Sequence, residues 1–529
     1  MKATTVPAFP LAARLLATAI FPFLLAGAPP ALAQVSAVNT PSSPALPVLG
    51  DAARGDLSPV LERKLGEEIM HDIRRDRDFL DDDGILEYLN NFGAGLVAAY
   101  PGARGETGAD YYFFCVRDTQ LNAFALPGGF IGVHSALVLA AQNESELASV
   151  LSHEVGHVAQ RHIARAIGQQ KGDALMPLAA IILAALASKA GPDAAMGVFM
   201  GGQGYAIQRQ IDFTREAERE ADRVGFQIMS AAGFDASGMV AFFQRMQAAT
   251  KVYSDLTPPS LMSHPLTSER ITDIRARVRA MPFHQRIDGI EFYLVRSRAR
   301  VLQDESNQGR IDARKAFEEQ LKQQNRQQQA SAQYGLAFLA MKQGELPKAA
   351  EWLTKARATM KPVTGAVFST GQSASDGAAM FAALDLEIKL SPGQPASVVA
   401  QAVKDAEQYR QQYPLARGIA RQYADAMIAA GQLDKATSFL RAQVQQYREE
   451  AKLYELLAKA YAAQGKFSLQ HIALAESYVL SGAVPAAVDQ LGIARKAPDA
   501  SFYDLALIDA RERQLQTKQK EENKDKKER

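Results

Sequence analysis

Two histidines four residues apart, His153 and His157, constrain this chain more than any other feature. In a helix of 3.6 residues per turn that spacing puts both imidazoles on one face, close enough to grip a single divalent metal. The helix is signalled independently: Asn143-Glu144-Ser145-Glu146 is a helix start with acidic residues in its first turn, and Leu147, Val150, Leu151, Val155 and Val158 recur at core-facing spacing. The pair therefore sits mid-helix, and the fold must supply a second element to complete the coordination. Glu154, between the two, is placed to take a proton from water. The run His153-Glu154-Val155-Gly156-His157 predicts Zn2+, one ion per chain, and peptide-bond hydrolysis, because zinc accepts imidazole nitrogen and carboxylate oxygen tetrahedrally and activates water near neutral pH. His162 lies five residues past His157, off that face and beside Arg161 and Arg165, and is expected to stay outside the site.

A catalytic zinc needs a third protein ligand and an open fourth position. The run from Thr214 to Asp222 is free of Gly and Pro and can be helical, with Phe213, Ala217, Ala221 and Val224 on one side and the carboxylates of Glu216, Glu218, Glu220 and Asp222 around the rest. Composition alone lets Glu216, Glu218 or Glu220 serve. Upstream, Leu121 to Leu126, a Pro127-Gly128-Gly129 break and Phe130 to His134 read as a β-hairpin. Downstream, Ser263-His264-Pro265-Leu266 is followed by Glu269 and Arg270.

Together these motifs resemble the gluzincin metallopeptidases, the family of the bacterial heat-shock membrane protease and the CAAX-prenyl endopeptidase, whose second motif is Glu-x-x-x-Asp. The resemblance implies that Glu218 is the third metal ligand and that Asp222 accepts a hydrogen bond from a ligand histidine, fixing its tautomer. It implies that the edge strand of the hairpin, at Asn122, Ala123 and Phe124, receives substrate as an added strand, through main-chain hydrogen bonds that ignore side-chain identity. It also implies that the His-Pro segment lies near the active site. His264 would then fill the open coordination position, silencing the enzyme, or touch substrate. Arg270 would steady a carboxylate or a developing oxyanion, or form a structural ion pair.

Lys2 and Arg14 precede an apolar stretch, Leu15 to Ala26, and Ala31-Leu32-Ala33 before Gln34 fits the small-x-small rule, so residues 1–33 read as a cleaved signal peptide. With the resemblance, this leader implies the periplasm of a Gram-negative bacterium. The only cysteine, Cys115, cannot form an intramolecular disulfide, and a chain of this length buries ample core without one. A net charge of +1 gives no basic excess for nucleic acid. The fourteen-residue apolar run from Ala174 to Ala187 is too short to span a bilayer comfortably and reads as a buried helix, a flap over the cleft or a peripheral membrane contact. No transmembrane helix is expected in the mature chain.

Residues 34–56, rich in Pro, Ser, Ala and Val, read as a flexible linker, and 57–285 as the peptidase domain, with a helix around Glu62 to Arg77 and a strand at Tyr111 to Arg117. Bridging helices occupy 286–326. From 327 to 512 the chain becomes alanine-rich: Leu336, Ala337, Gly344, Ala349, Leu353 and Ala356 set a pattern that Tyr423, Ala424, Gly431, Ala436 and Leu440 repeat, with Gly465 one tetratricopeptide (TPR) period of 34 after Gly431. Gly482, Ala487, Leu491 and Ala494 give a fourth, partial match, whereas Val363 to Pro414 keeps the period poorly. Stacked helix pairs of this kind bury a shared core and leave a concave groove; the alternative is a generic alanine-rich bundle. The charged tail, 513–529, is expected to be disordered.

The expected fold is thus a helix-rich α+β zinc metallopeptidase domain, gluzincin-like with a small sheet and an edge strand, followed by an all-α TPR-like solenoid. The expected function is a periplasmic endopeptidase acting on unfolded or misassembled polypeptides. By resemblance, its repeats would engage the outer-membrane protein assembly machinery or β-barrel precursors. A second reading is a repeat-based chaperone or adaptor whose zinc site is latent or structural.

Overall fold

The structure, a computed structural model, describes residues 57–168, 215–252, 264, 266–282, 286–360 and 377–528. The expected signal peptide and linker, 1–33 and 34–56, and the apolar run 174–187 lie outside the described residues. Among the described residues no helix is long and apolar enough to cross a membrane.

Helix α1 (Pro59–Arg75) starts where the Ser58 hydroxyl accepts from the Leu61 amide, with Pro59 at a position whose N–H would have no helical partner. Asp82 caps α2 (Asp83–Ala99) in the same way. Strands β1 (Tyr112–Val116), β2 (Ala123–Leu126) and β3 (Phe130–His134) form a sheet in the order β1-β3-β2, β1 parallel and β2 antiparallel to β3. The expected hairpin is therefore present as β2–β3. It turns through Gly128 and Gly129 at φ 77° and 91°, conformations that side chains other than hydrogen rarely adopt. Successive residues of a strand face opposite ways, so Phe113 and Cys115 enter one core while Phe114 and Val116 pack against Leu65, Ile69 and Ile73 of α1.

Helix α3 (Ser135–Ala140) leads into α4 (Glu144–Ala159), whose cap is Asn143, its side chain accepting from the Glu146 amide. Every residue of α4 is buried. It is wrapped by β2 and α2 and by α6 (Arg215–Ala231) and α7 (Ser237–Val252), with α5 (His162–Gly168) following it and α8 (Ser268–Arg279) packed on α7. α4 and α6 touch at glycines: a β-carbon on Gly156 would lie 2.9 Å from the Ala221 carbonyl oxygen, and one on Gly225 would lie 2.9 Å from the His153 nitrogen. That approach brings the two expected metal helices backbone to backbone.

The remainder is all helical: α9 (Ile290–Gln303) and α10 (Asn307–Leu321), then α11 (Arg326–Lys342), α12 (Leu346–Met360), α13 (Ala378–Leu390), α14 (Ala396–Gln412), α15 (Arg417–Ala429), α16 (Leu433–Gln446), α17 (Ala451–Ala463), α18 (Phe467–Leu480), α19 (Val484–Arg495) and α20 (Phe502–Glu528). Gly344, Gly431 and Gly465 turn α11 into α12, α15 into α16 and α17 into α18, all at positive φ. In each turn the next amide reaches back five residues, Glu345 to Ala340, Gln432 to Met427 and Lys466 to Tyr461, at 2.8–2.9 Å. Gly482 makes the same turn between α18 and α19, 17 residues after Gly465, so it is half a period out of step with Gly431 and Gly465. The small residues that set the pattern, Ala337, Ala349, Ala356, Ala424, Ala436 and Ala458, are all buried.

One correction concerns the tail. Expected to be disordered, residues 513–528 instead continue α20 to Glu528. The stretch has no Gly or Pro and is dominated by Lys, Glu and Gln, which favour the helix, and Ile508 and Leu515 seat its inner side.

The helical region is fastened to the N-terminal half. The buried Arg298 of α9 grips both oxygens of Asp82 at 2.6–3.0 Å and reaches Glu387 of α13 at 3.1 Å. Asp83 pairs with Arg421 of α15 at 2.7 Å and Lys452 of α17 at 3.0 Å, and these cations hold its carboxyl below the usual range against the opposing effect of burial.

Candidate metal centre

His153 and His157 point their Nε2 atoms at each other, 3.0 Å apart, as the four-residue spacing requires. From α6, Glu218 inserts between them, with Oε2 3.5 Å from His153 Nε2 and Oε1 3.5 Å from His157 Nε2. Of the three glutamates that composition left open, only Glu218 takes this place: Glu216 is exposed, and Glu220 turns to His162 and Arg165. His264 closes the group with its Nδ1 2.8 Å from Glu218 Oε1, and the four residues offer ligand atoms all within 4.8 Å of one another.

The residues fit a metal. A tetrahedral ion with ligands roughly 2.0–2.1 Å away has ligand-to-ligand edges of about 3.3–3.4 Å, close to the 3.0 and 3.5 Å seen here. Two imidazoles facing each other through lone-pair nitrogens, beside a buried carboxylate, need a cation or a proton between them. Glu154 is buried too, and its Oε2 has no hydrogen-bond partner among the described residues. An ionisable oxygen held in this state is costly unless the site uses it. Its Oε1 lies 3.9 Å from His264 Nε2.

Around these side chains each remote atom is held. Asp222 Oδ1 lies 3.0 Å from His153 Nδ1, leaving Nε2 as the lone-pair nitrogen. Arg270 of α8 forks onto Asp222 with two bonds of 2.7 Å and reaches Glu218 Oε2 at 2.7 Å. It is therefore a buried ion pair to both carboxylates of the Glu-x-x-x-Asp run. Burial alone would pull the His153 imidazole down, but Asp222 and Glu218 outweigh it and lift it to about 10. His157 goes the other way: burial pushes it well below its usual value. Burial opposes ionisation of Glu218 and Asp222, yet His264 beside Glu218 and Arg270 beside Asp222 hold their carboxyls below the usual range. The negative charge that favours a proton on His153 equally favours a divalent cation in its place.

His162 is a correction. It is buried, its Nδ1 2.8 Å from His157 Nδ1 and its Nε2 3.1 Å from Glu220 Oε2, which also accepts from Arg165 at 3.0 Å. The helical argument that set it aside assumed one unbroken helix. Instead α4 ends at Ala159, and Arg161 takes φ 52°, anchored by its guanidinium to the Leu57 carbonyl at 2.6 Å and Glu62 at 3.1 Å. That left-handed residue swings α5 back so that His162 faces His157.

The strand expected to receive substrate is an edge strand of the sheet and lies against α4. The Asn122 carbonyl accepts from His134 N–H at 3.0 Å on the inner side, Ala123 is buried opposite Val133, and the Phe124 ring covers Gly132. The outer edge of β1 is occupied differently, by Leu80 donating to the Cys115 carbonyl and Arg117 donating to Asp78.

The family model of peptidase family M48 matches residues 97–278, which span the sheet and helices α4, α6, α7 and α8. The chain is 30% identical over 485 residues to the beta-barrel assembly-enhancing protease of Escherichia coli strain K12, covering 92% of this chain and 94% of that one. It is 36% identical over 329 residues to the putative beta-barrel assembly-enhancing protease of Vibrio cholerae, covering 62% and 65%. It is also 33% identical over 134 residues to the mitochondrial metalloendopeptidase OMA1 of Schizosaccharomyces pombe, covering 25% and 37%. With two histidines and a glutamate converging from helices inside the matched region, the chain belongs to peptidase family M48 and is a metalloendopeptidase.

Proposed function

We propose that this protein is a zinc-dependent endopeptidase of the bacterial periplasm that hydrolyses peptide bonds in unfolded or misassembled proteins, in the quality control of outer-membrane protein assembly. The convergence of His153, His157 and Glu218 beside Glu154, whose buried Oε2 has no hydrogen-bond partner among the described residues, carries the reading. The full-length likeness to a beta-barrel assembly-enhancing protease supports the choice of client, β-barrel precursors or their assembly machinery. The helix pairs, read as TPR-like repeats, would recruit substrate or partner along their concave side.

His153, His157 and Glu218 would hold the zinc. When bound, it supplies Lewis acidity, polarising a carbonyl and lowering the pKa of water. Asp222 and His162 keep both imidazoles in the ligating tautomer. Glu154 takes a proton from the attacking water as its oxygen bonds to the scissile carbon, and returns that proton to the nitrogen as the C–N bond breaks. An extended polypeptide adding to β2 at Asn122, Ala123 and Phe124 would hold the scissile bond still through main-chain hydrogen bonds. Glu154→Gln should keep wild-type zinc content and lose about 10²–10⁴-fold in casein cleavage; undiminished cleavage would end the proposal.

His264 favours a second reading. A fourth protein donor 2.8 Å from Glu218 closes the set as in structural zinc sites, making the resting site latent and the helix pairs an adaptor of envelope assembly. His264→Ala separates the two. Raised cleavage with zinc retained identifies His264 as a displaceable fourth ligand, whereas zinc without cleavage favours the adaptor.

A further inference from the structure

Away from the metal centre, α9, α10 and the start of α11 enclose a cavity of about 440 Å³. Arg296 and Arg300, one helical turn apart on α9, both line it. Their situation is unlike that of Arg298 between them in sequence, which is saturated by Asp82 and Glu387. Arg296 makes a single hydrogen bond, from Nη2 to the Leu139 carbonyl at 2.9 Å, and its buried Nε has no partner among the described residues. Arg300 has neither ion pair nor hydrogen bond among the described residues. Burial pushes both guanidiniums below their usual pKa, and in Arg296 the charge of Arg300 adds to that effect.

A guanidinium does not give up its proton in a protein, so two of them crowded into a half-buried cavity carry an unmet demand for negative charge. Among the described residues no carboxylate bonds to either guanidinium. The carboxylate on the cavity wall, Glu319, is paired with Lys322 at 2.7 Å. Glu146 of α4, whose charge is felt at Arg296, is gripped by both arms of Arg245. The rest of the wall is uncharged: Tyr293, Ser297, Phe317 and the amides of Gln320, Gln323 and Gln328. Two planar forks over a chamber of this size, rimmed by amides, match a small oxyanion in charge, hydrogen-bonding geometry and volume.

We propose that this cavity is a binding site for a phosphate group, carried by a small soluble molecule or by a phospholipid head, with Arg296 and Arg300 as its paired anchors. The site borders the catalytic half through Leu139, the carbonyl to which Arg296 is tied, four residues before the cap of α4.

The test uses the purified full chain and two probes, inorganic phosphate by titration calorimetry and sedimentation with phosphatidylglycerol vesicles in phosphatidylcholine. Wild type should bind at least one probe saturably. The double variant Arg296→Gln, Arg300→Gln should bind it at least ten-fold more weakly with peptidase activity retained. Phosphate binding lost in the variant identifies a soluble ligand, and vesicle binding alone, lost likewise, identifies a lipid head. Should the double variant fail to fold, Arg300→Lys keeps the charge but loses the fork and should weaken binding several-fold. Failure of wild type to bind either probe, or equal binding by wild type and a folded variant, overturns the proposal. Neither arm depends on zinc, so its failure is separate from that of the peptidase reading.

Discussion

The contact between α4 and α6 and the contacts among the C-terminal helix pairs are both close helix packings, yet they bury opposite chemistry. Between α4 and α6 lie His153, His157, Glu154, Glu218 and Asp222, with Arg270 reaching in from α8. Between α15 and α18 lie Ala424, Ala436, Leu440, Leu457, Ala458 and Ala473. Burying apolar area is favourable wherever it happens, so the second contact tolerates exchange of one small residue for another. Burying charge is costly unless every group is paired, so the first contact depends on each member of a closed network. One half of the molecule is held by pattern and the other by particular atoms.

That contrast can be broken by substitution. Arg270→Met leaves Asp222 and Glu218 buried without their guanidinium and should cost about 3–5 kcal/mol in urea unfolding, with zinc lost as well; a small change would mean that the network is not a unit. Leu440→Ala, fully buried between helix pairs, should cost about 2–5 kcal/mol and leave zinc content untouched. Zinc loss in that variant would show that the two halves are not independent in this respect. His162→Ala should weaken zinc binding about 10–100-fold, as removal of an imidazole's supporting partner does, with little change in fold by circular dichroism. An unchanged zinc affinity would make the His157–His162 contact packing alone.

The same contrast explains what could be read in advance. Repeating features are visible in sequence because each copy corroborates the others, and Gly344, Gly431 and Gly465 each stand at positive φ in the turn between two helices. The cap at Asn143 and the facing of His153 and His157 follow from local helix geometry and were equally legible. Arg270 was expected to steady a carboxylate or an oxyanion or to form a structural ion pair, but its partners could not be named, because its bonds to Asp222 and Glu218 span about fifty positions. His162 could not be reached by helical arithmetic at all. The bend that returns it to the site is made by Arg161, a non-glycine residue at positive φ held in place by Leu57 and Glu62 about a hundred positions earlier. Residues 513–528 show the reverse error, where charge suggested disorder but helix-favouring side chains and two apolar anchors keep the helix going.

The central claim is that one divalent ion joins α4 to α6. X-ray absorption at the zinc edge of the purified protein tests it most directly, together with zinc counted per chain. The account predicts one zinc with four nitrogen or oxygen neighbours at about 2.0–2.2 Å, two or three of them showing the outer-shell pattern of imidazole. It further predicts that Glu218→Ala loses a light-atom neighbour or the zinc itself. Zinc absent from the wild-type protein, or bound with no imidazole signature and unaffected by Glu218→Ala, would contradict it.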